Sequence, residues 1–347
     1  MHPTEPKTTM CFCFLGLLGL LGAIPALASQ AGPTEAPQTV MAFGLMGDQP
    51  YSPWFEQATT ELIQHMNQDP EIDWIVHVGD IKGSTEPCSN ALLQQRIDQL
   101  QRSTKPLVLV PGDNEWTDCH RPASGNFDPQ ERLEHLRQVA YSATSSLGRP
   151  HLQLLTQRDA GFPEHAMWTE AGTLFMTFNI PGSNNDLHNP PSRNTPPAKV
   201  LQLFQTRMAA VQAWFAQGRQ VMSGPNAPRQ TVVVIQGNPF EGSGAAWSHG
   251  PFTTRSGYAQ FMAHLVQFME DTRRPLLLAH GDTHRFRWDQ PPLESFGASK
   301  AVSEQFHRVE TWGHPFVNTW VKVRIKNGAK APFDVEQVSL PLAPSGN

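Results

Sequence analysis

An α/β fold with a mixed sheet system is predicted by three observations: short, near-continuous apolar runs, segments of helical period between them, and alternating polar and apolar residues toward the C-terminus. The runs are Met41–Met46, Trp74–Val78, Leu107–Val110, Leu174–Phe178, Val232–Ile235 and Pro275–Ala279. Their unbroken apolar character is that of parallel strands covered on both faces. Helical spacing follows in Trp54, Phe55, Ala58, Leu62 and Met66, then in Leu93, Ile97 and Leu100, then in Leu133, Leu136 and Ala140. It returns across Val200–Phe215 at Leu203, Met208, Val211 and Phe215, and across Tyr258–Met269 at Phe261, Leu265 and Phe268. Strand and helix therefore alternate through most of the chain. After Asp282 the segments His284–Trp288, His307–Trp312 and Phe316–Ile325 alternate in polarity and are expected to form half-exposed antiparallel strands.

The N-terminus carries Lys7, an apolar stretch from Met10 to Leu21, and Ala26-Leu27-Ala28 before Ser29. These are the parts of a secretory signal peptide, expected over residues 1–28. A membrane anchor is the competing reading, but the stretch is short for a span and Pro25 precedes a good cleavage site. Residues 29–40 read as a flexible lead, 41–340 as one domain, and 341–347 as a loose tail. The Pro, Asn and Ser-rich stretch Pro181–Lys199 is expected to be a long surface loop inside that domain. The expected protein is exported, periplasmic or secreted, and monomeric, with no membrane span after cleavage. Its formal net charge of -5 argues against bulk nucleic-acid binding.

Cys11 and Cys13 fall in the leader, which leaves Cys88 and Cys119. In an exported chain these two are expected to pair, the alternative being two free thiols.

Five apolar runs stop at Gly followed by Asp or Asn: Gly47-Asp48, Gly79-Asp80, Gly112-Asp113, Gly237-Asn238 and Gly281-Asp282. A single pair is an ordinary turn, but composition alone gives only about one such pair. In an open α/β sheet the carboxyl ends of the strands share a rim where ligands bind, so these side chains are expected to converge. Clustered carboxylates repel unless a cation holds them. A metal site spread over five loops follows.

Written out, the motifs are Gly47-Asp48-Gln49-Pro50-Tyr51, Gly79-Asp80-Ile81-Lys82, Gly112-Asp113-Asn114-Glu115-Trp116, Gly237-Asn238-Pro239 and Gly281-Asp282-Thr283-His284. In this order and at these separations the chain resembles the calcineurin-like metallophosphoesterases, over about Phe43 to Trp288. That resemblance implies a four-layer α/β sandwich of mixed sheets flanked by helices, with two divalent ions at the strand rim and a small phosphorylated substrate. It implies that Asp48 and His284 hold one ion, that Asp80 bridges, and that Asp113, Asn238 and Asp282 hold the other. The family pattern has a His where Pro50 stands, Asn-His where Asp113-Asn114 stands, and a His at the positions of Asn238 and Asp282. The set is thus rich in oxygen and poor in imidazole, which favours Mn²⁺ or another hard ion such as Mg²⁺, Ca²⁺ or iron over Zn²⁺.

Asn114 replaces the histidine that usually protonates the leaving group. His120 and His280 are the candidates to replace it, each with a structural alternative, a solvated loop and a buried strand end respectively. Arg121 is a candidate phosphate clamp. Lys82 reads either as a partner for substrate phosphate or as a solvated charge. Tyr51 and Glu115 read as supports for the ligands or as packing and capping groups. Two functions remain open: metal-dependent hydrolysis of phosphate mono- or diesters, and a catalytically weak or inactive relative acting as a binding protein.

Overall fold

The computed structural model describes residues 38–187, 198–240, 256–326 and 331–340. The leader 1–28, most of the lead 29–40, the middle of the stretch 181–199, residues 241–255 and the tail 341–347 lie outside the described residues. By contacts the chain divides after Ala36, and the description concerns the unit that begins at Pro37.

Two sheets form the centre. In the first, β1 (Thr39–Met46), β2 (Trp74–His77) and β3 (Leu107–Leu109) run parallel, and β11 (Thr319–Lys326) and β12 (Phe333–Ser339) extend them antiparallel in the order β12-β11-β1-β2-β3. The second contains β4 (Leu155–Gln157), β5 (Phe162–Glu170), β6 (Thr173–Thr177), β7 (Gln230–Val234), β8 (Leu276–His280), β9 (Arg287–Asp289) and β10 (Phe306–Glu310). Its order is β4-β5-β6-β7-β8-β10-β9, and β6, β7, β8 and β10 are parallel.

Successive strand residues point to opposite faces. Phe43, Leu45, Val76 and Val108 therefore meet Phe175, Val232, Val234, Leu277 and Val309 between the sheets. Their neighbours Ala42, Met46, Ile75 and Leu109 face outward onto Leu62, Met66, Leu93, Ile97 and Leu136. Those side chains belong to α1 (Glu56–Gln68), α2 (Asn90–Leu100) and α3 (Pro129–Ala140). On the far side, Leu174, Met176, Val233 and Leu278 face Val211 and Phe215 of α4 (Ala198–Met222) and Phe261, Leu265 and Phe268 of α5 (Ala259–Thr272). This is the expected four-layer sandwich, and its two-sided burial explains why the parallel strands lack alternation. Phe43 shows what a single layer contact contributes: its ring stacks on Trp74 and meets Phe175 edge-on. Phe43→Ala would cost about 3–5 kcal/mol.

Two helix starts follow from local chemistry. Ser89 accepts from the Leu92 amide at the head of α2, and Asp128 accepts from the Gln130 and Glu131 amides before Pro129 opens α3.

One expectation is corrected. The alternation in His307–Trp312 predicts a half-exposed antiparallel strand; β10 is antiparallel to β9 but parallel to β8 on its other side, and it is buried at all five residues. Its charged positions are matched one by one: Arg308 pairs with Asp289, and Glu310 with Arg287 and the Thr283 hydroxyl. Polar residues at alternate positions thus mark paired groups rather than a wet face. Strands β4, β5 and β12 are additional to the sequence reading. Among the described residues no helix is long and apolar enough to cross a membrane.

Candidate metal centre

The five Gly-Asp and Gly-Asn turns follow the carboxyl ends of β1, β2 and β3 in one sheet and of β7 and β8 in the other. Four of the expected ligands sit in left-handed backbone: Asp48 (φ 53), Asp80 (φ 56), Asp282 (φ 79) and His284 (φ 59). Residues with a Cβ rarely adopt that region, and such outliers collect at functional sites. The preceding glycines have a steric cause. A Cβ on Gly79 would lie 2.5 Å from the Gly112 amide nitrogen, one on Gly112 would lie 2.1 Å from Asp80 Oδ1, and one on Gly281 would lie 2.3 Å from Asp48 Oδ2. The turns are packed backbone to carboxylate, with no room for side chains between them.

Hydrogen bonds join the turns. Asp80 accepts from the Asn114 amide at 3.0 Å, from Asn114 Nδ2 at 2.8 Å and from the Tyr51 hydroxyl at 2.7 Å. Glu115 Oε1 accepts from the backbone amides of both Asp80 and Gly112, tying the second motif to the third. Both Asp48 oxygens lie 3.1 Å from the Asp282 amide, and Asp282 Oδ2 accepts from the Asn238 amide at 3.0 Å. Asp48, Asp80, Asp113, Asp282 and Asn238 are thereby brought together with His284, whose Nε2 is 3.8 Å from Asp48 Oδ1. The Asn238 side chain is largely engaged, with Oδ1 accepting from the Phe240 amide and Nδ2 donating to Thr283.

His284 Nδ1 sits 2.7 Å from the carbonyl of His314, which can only accept. Nδ1 therefore carries the hydrogen, and the Nε2 lone pair faces the Tyr51 hydroxyl at 3.1 Å. Burial lowers the His284 pKa, which keeps the ring neutral.

The electrostatics are severe. Burial, then the charge of Asp282, pushes Asp48 well above the usual carboxylate range, and burial, then Asp113 and Glu115, does the same to Asp80. Burial and Asp113 raise Glu115 to about 7 and Asp118 to about 8. A cation placed here would remove this repulsion.

The residues fit divalent ions by that test. Carboxylate oxygens line the space that a glycine Cβ would fill, and a neutral imidazole whose Nε2 meets the Tyr51 hydroxyl at 3.1 Å stands beside them. Among the described residues no three carboxylates, imidazoles or thiolates are drawn together as tightly as a bound ion would hold them.

The remaining candidates divide. Asn114 is buried and spends both its amide and its side chain on Asp80. Arg121 pairs with Asp118 at 2.7 Å and reaches the Ser183 hydroxyl at 3.3 Å, at the edge of the carboxylate group. His120 is exposed and its Nδ1 turns back to the Thr117 carbonyl at 2.7 Å. His280 is fully buried, with burial pushing its pKa down to about 3, so it belongs to the strand interior. Lys82 is buried rather than solvated; its Nζ donates to the Gly83 carbonyl, and burial lowers its pKa against the opposing pull of Glu115 and Asp80. Cys88 and Cys119 form a disulfide that anchors the segment just after the third motif.

Sequence reasoning missed Gly182 and Ser183. They follow β6, whose end reads Ile180-Pro181-Gly182-Ser183 and carries no Gly-Asp signal. A Cβ on Gly182 would lie 2.5 Å from Asp282 Oδ1 and 2.9 Å from Asp113 Oδ2. Ser183 Oγ is 2.7 Å from Asp113 Oδ2 and 2.8 Å from Asp118 Oδ1. The only available signal was another apolar strand ending in Pro-Gly-Ser. His314 was also missed: its ring stacks on Tyr51 and is met edge-on by Phe55, while neighbouring Trp54 is 90% exposed.

The family model for calcineurin-like phosphoesterases matches residues 52–286. The chain belongs to that family. No match is found among the curated proteins. Among solved structures, the chain is similar to one described as GAP50, the anchor in the inner membrane complex of Plasmodium, at 9% identity and a TM-score of 0.45 over 88% of this chain and 90% of that one.

Proposed function

We propose that the chain hydrolyses phosphate esters with the help of divalent ions held at the strand rim. Asp48, Asp80 and His284 would hold one ion, and Asp80, Asp113, Asn238 and Asp282 the other, with Mn²⁺ or another hard ion favoured by the oxygen donors. When bound, such ions offset the carboxylate charge, draw in phosphate oxygens and make hydroxide available near neutral pH. The observation that carries this reading is a group of buried acids whose charged forms oppose one another in a family of phosphoesterases.

The chain's own residues then have definite work. Asn114 holds Asp80 from two sides and has no proton to give a leaving group. Arg121, partly exposed at the edge, offers a planar donor to a phosphate oxygen. Without an acid at position 114, turnover should favour esters whose leaving group needs no proton, such as aryl phosphates, over alkyl esters. The disulfide supports an exported location. The substrate is taken as small and phosphorylated, and the protein as a monomer with no role in bulk nucleic-acid binding.

The second reading, a metal-binding relative without turnover, draws on the same Asn114. Hydrolysis of an aryl phosphate mono- and diester with added Mn²⁺, in the mature chain and in Asp80→Asn, separates the two. Activity that chelation and Asp80→Asn both abolish is expected. Activity that persists undiminished in the chelated wild type or in Asp80→Asn would sink the metal mechanism, and ion binding without turnover of either ester would favour the second reading.

A further inference from the structure

The four-residue helical turn Gly182–Asn185 is left-handed at Ser183 (φ 49, ψ 43) and Asn184 (φ 55, ψ 42), and positive φ continues through Asn185 (φ 54) and Asp186 (φ 63). Residues with a Cβ visit this region singly, because Cβ crowds the following carbonyl; a run of four is opposed at every step. Such a run persists only where the surroundings over-determine it.

Here they do. Asn185 Nδ2 donates to the Gly257 carbonyl at 2.7 Å, and the Gly257 amide donates to Asn184 Oδ1 at 2.8 Å. Buried Arg207 donates to the Asn185 carbonyl at 2.7 Å and to its Oδ1 at 3.0 Å, and faces Asp186. Thr117, on the loop that follows the third motif, bonds the Asp186 carboxylate. The Arg207 guanidinium in turn lies 5.2 Å from the centre of the Trp116 ring. The turn is thus clamped from α4, from Gly257 two residues ahead of α5, and from the loop after the third motif at once.

What these clamps achieve at the metal centre is the placement of one hydroxyl. Ser183 Oγ rests against Asp113 Oδ2, while Gly182 beside it is open enough for Asp113 and Asp282 to approach the same point. We infer that Ser183 is a positioning residue: the strained turn holds its hydroxyl so that Asp113 is fixed in the orientation needed to bind a cation together with Asp282. The inference rests on the proposed cation site and is independent of turnover. It adds β6 to the strands whose ends build the centre.

The test uses the property that makes the turn unusual. Glycine is at ease at φ 49, so Ser183→Gly relieves strain while removing the hydroxyl; Ser183→Ala removes the hydroxyl and keeps the strain. Mn²⁺ binding to the mature chain, followed by the loss of the free-ion electron paramagnetic resonance signal, is measured beside the melting temperature in chelator. Both variants should bind the weaker of the two ions about 10–100-fold less tightly, as loss of a ligand-orienting partner does. Their melting temperatures should differ, Ser183→Gly matching or exceeding wild type and Ser183→Ala falling below Ser183→Gly. Wild-type affinity in both variants overturns the inference, as does an affinity loss that tracks melting temperature instead of the hydroxyl. A wild-type chain that binds no Mn²⁺ overturns the cation site and the inference together.

Discussion

The Tyr51 hydroxyl lies 2.7 Å from Asp80 Oδ2 and 3.1 Å from His284 Nε2. One phenol therefore touches an expected ligand from each of the two sheets. Burial, then the charges of Asp80 and Asp48, raises its pKa, so it enters the centre as a neutral donor.

Tyr51→Phe keeps the ring that stacks on His314 and deletes only that donor. Mn²⁺ affinity is expected to fall about 10–100-fold, because Asp80 loses one of the groups that orient it. Isothermal titration of the variant checks this; unchanged affinity would show that Asn114 alone orients Asp80.

Removing ions should reveal the repulsion among the buried acids. In chelator, Asp48→Asn is expected to melt above wild type, by roughly 2–4 °C for each kcal/mol of repulsion relieved. With excess Mn²⁺ the order should invert, since only the wild type gains binding energy from the ion. Two melting curves per protein decide it.

Away from the site, Arg137 pairs with fully buried Glu164 at 2.7 Å, and Glu164 also accepts from Asn179. Burial acts to raise the Glu164 pKa, but Arg137 outweighs it and the net direction is downward from 4.5. A carboxyl depressed on folding adds stability that is present above pH 4.5 and is lost as pH falls through its folded value. Arg137→Met reverses the sign, leaving an unpaired buried carboxylate that is destabilising at neutral pH by about 3–5 kcal/mol. Urea unfolding at pH 7 and pH 4 should show the deficit shrinking in acid, where Glu164 can take up a proton.

Reduction of Cys88–Cys119 frees a loop with a sequence separation of 31 that contains the third motif. Replacing both cysteines with alanine is expected to lower stability by about 3–4 kcal/mol. In the purified, unreduced protein neither thiol should react with an alkylating reagent, and mass spectrometry reads that directly.

The layers and the rim were legible because both rest on short-range patterns. Two-sided burial writes itself as continuous apolar runs, and the contact between Gly79 and Gly112 leaves glycine as the only residue that fits. Three other features carry no such mark. The left-handed run at Ser183 is imposed by Arg207, Gly257 and Thr117, residues remote in sequence. Lys82 is buried within reach of the charges of Glu115 and Asp113, which a turn remote in sequence brings to it. The misread character of β10 came from charges whose partners lie on β9 and in the turn before it.

Half of the expected ligand set grows from one sheet and half from the other, and the apolar layer holding Phe43, Val76, Val234 and Leu277 separates their roots. The thickness of that layer is consequently the gauge that sets the opening between Asp48 or Asp80 on one side and Asp282 or His284 on the other. Ion size selectivity in this chain should then be tunable from a distance of several side chains, by repacking the sandwich interior without touching any donor atom.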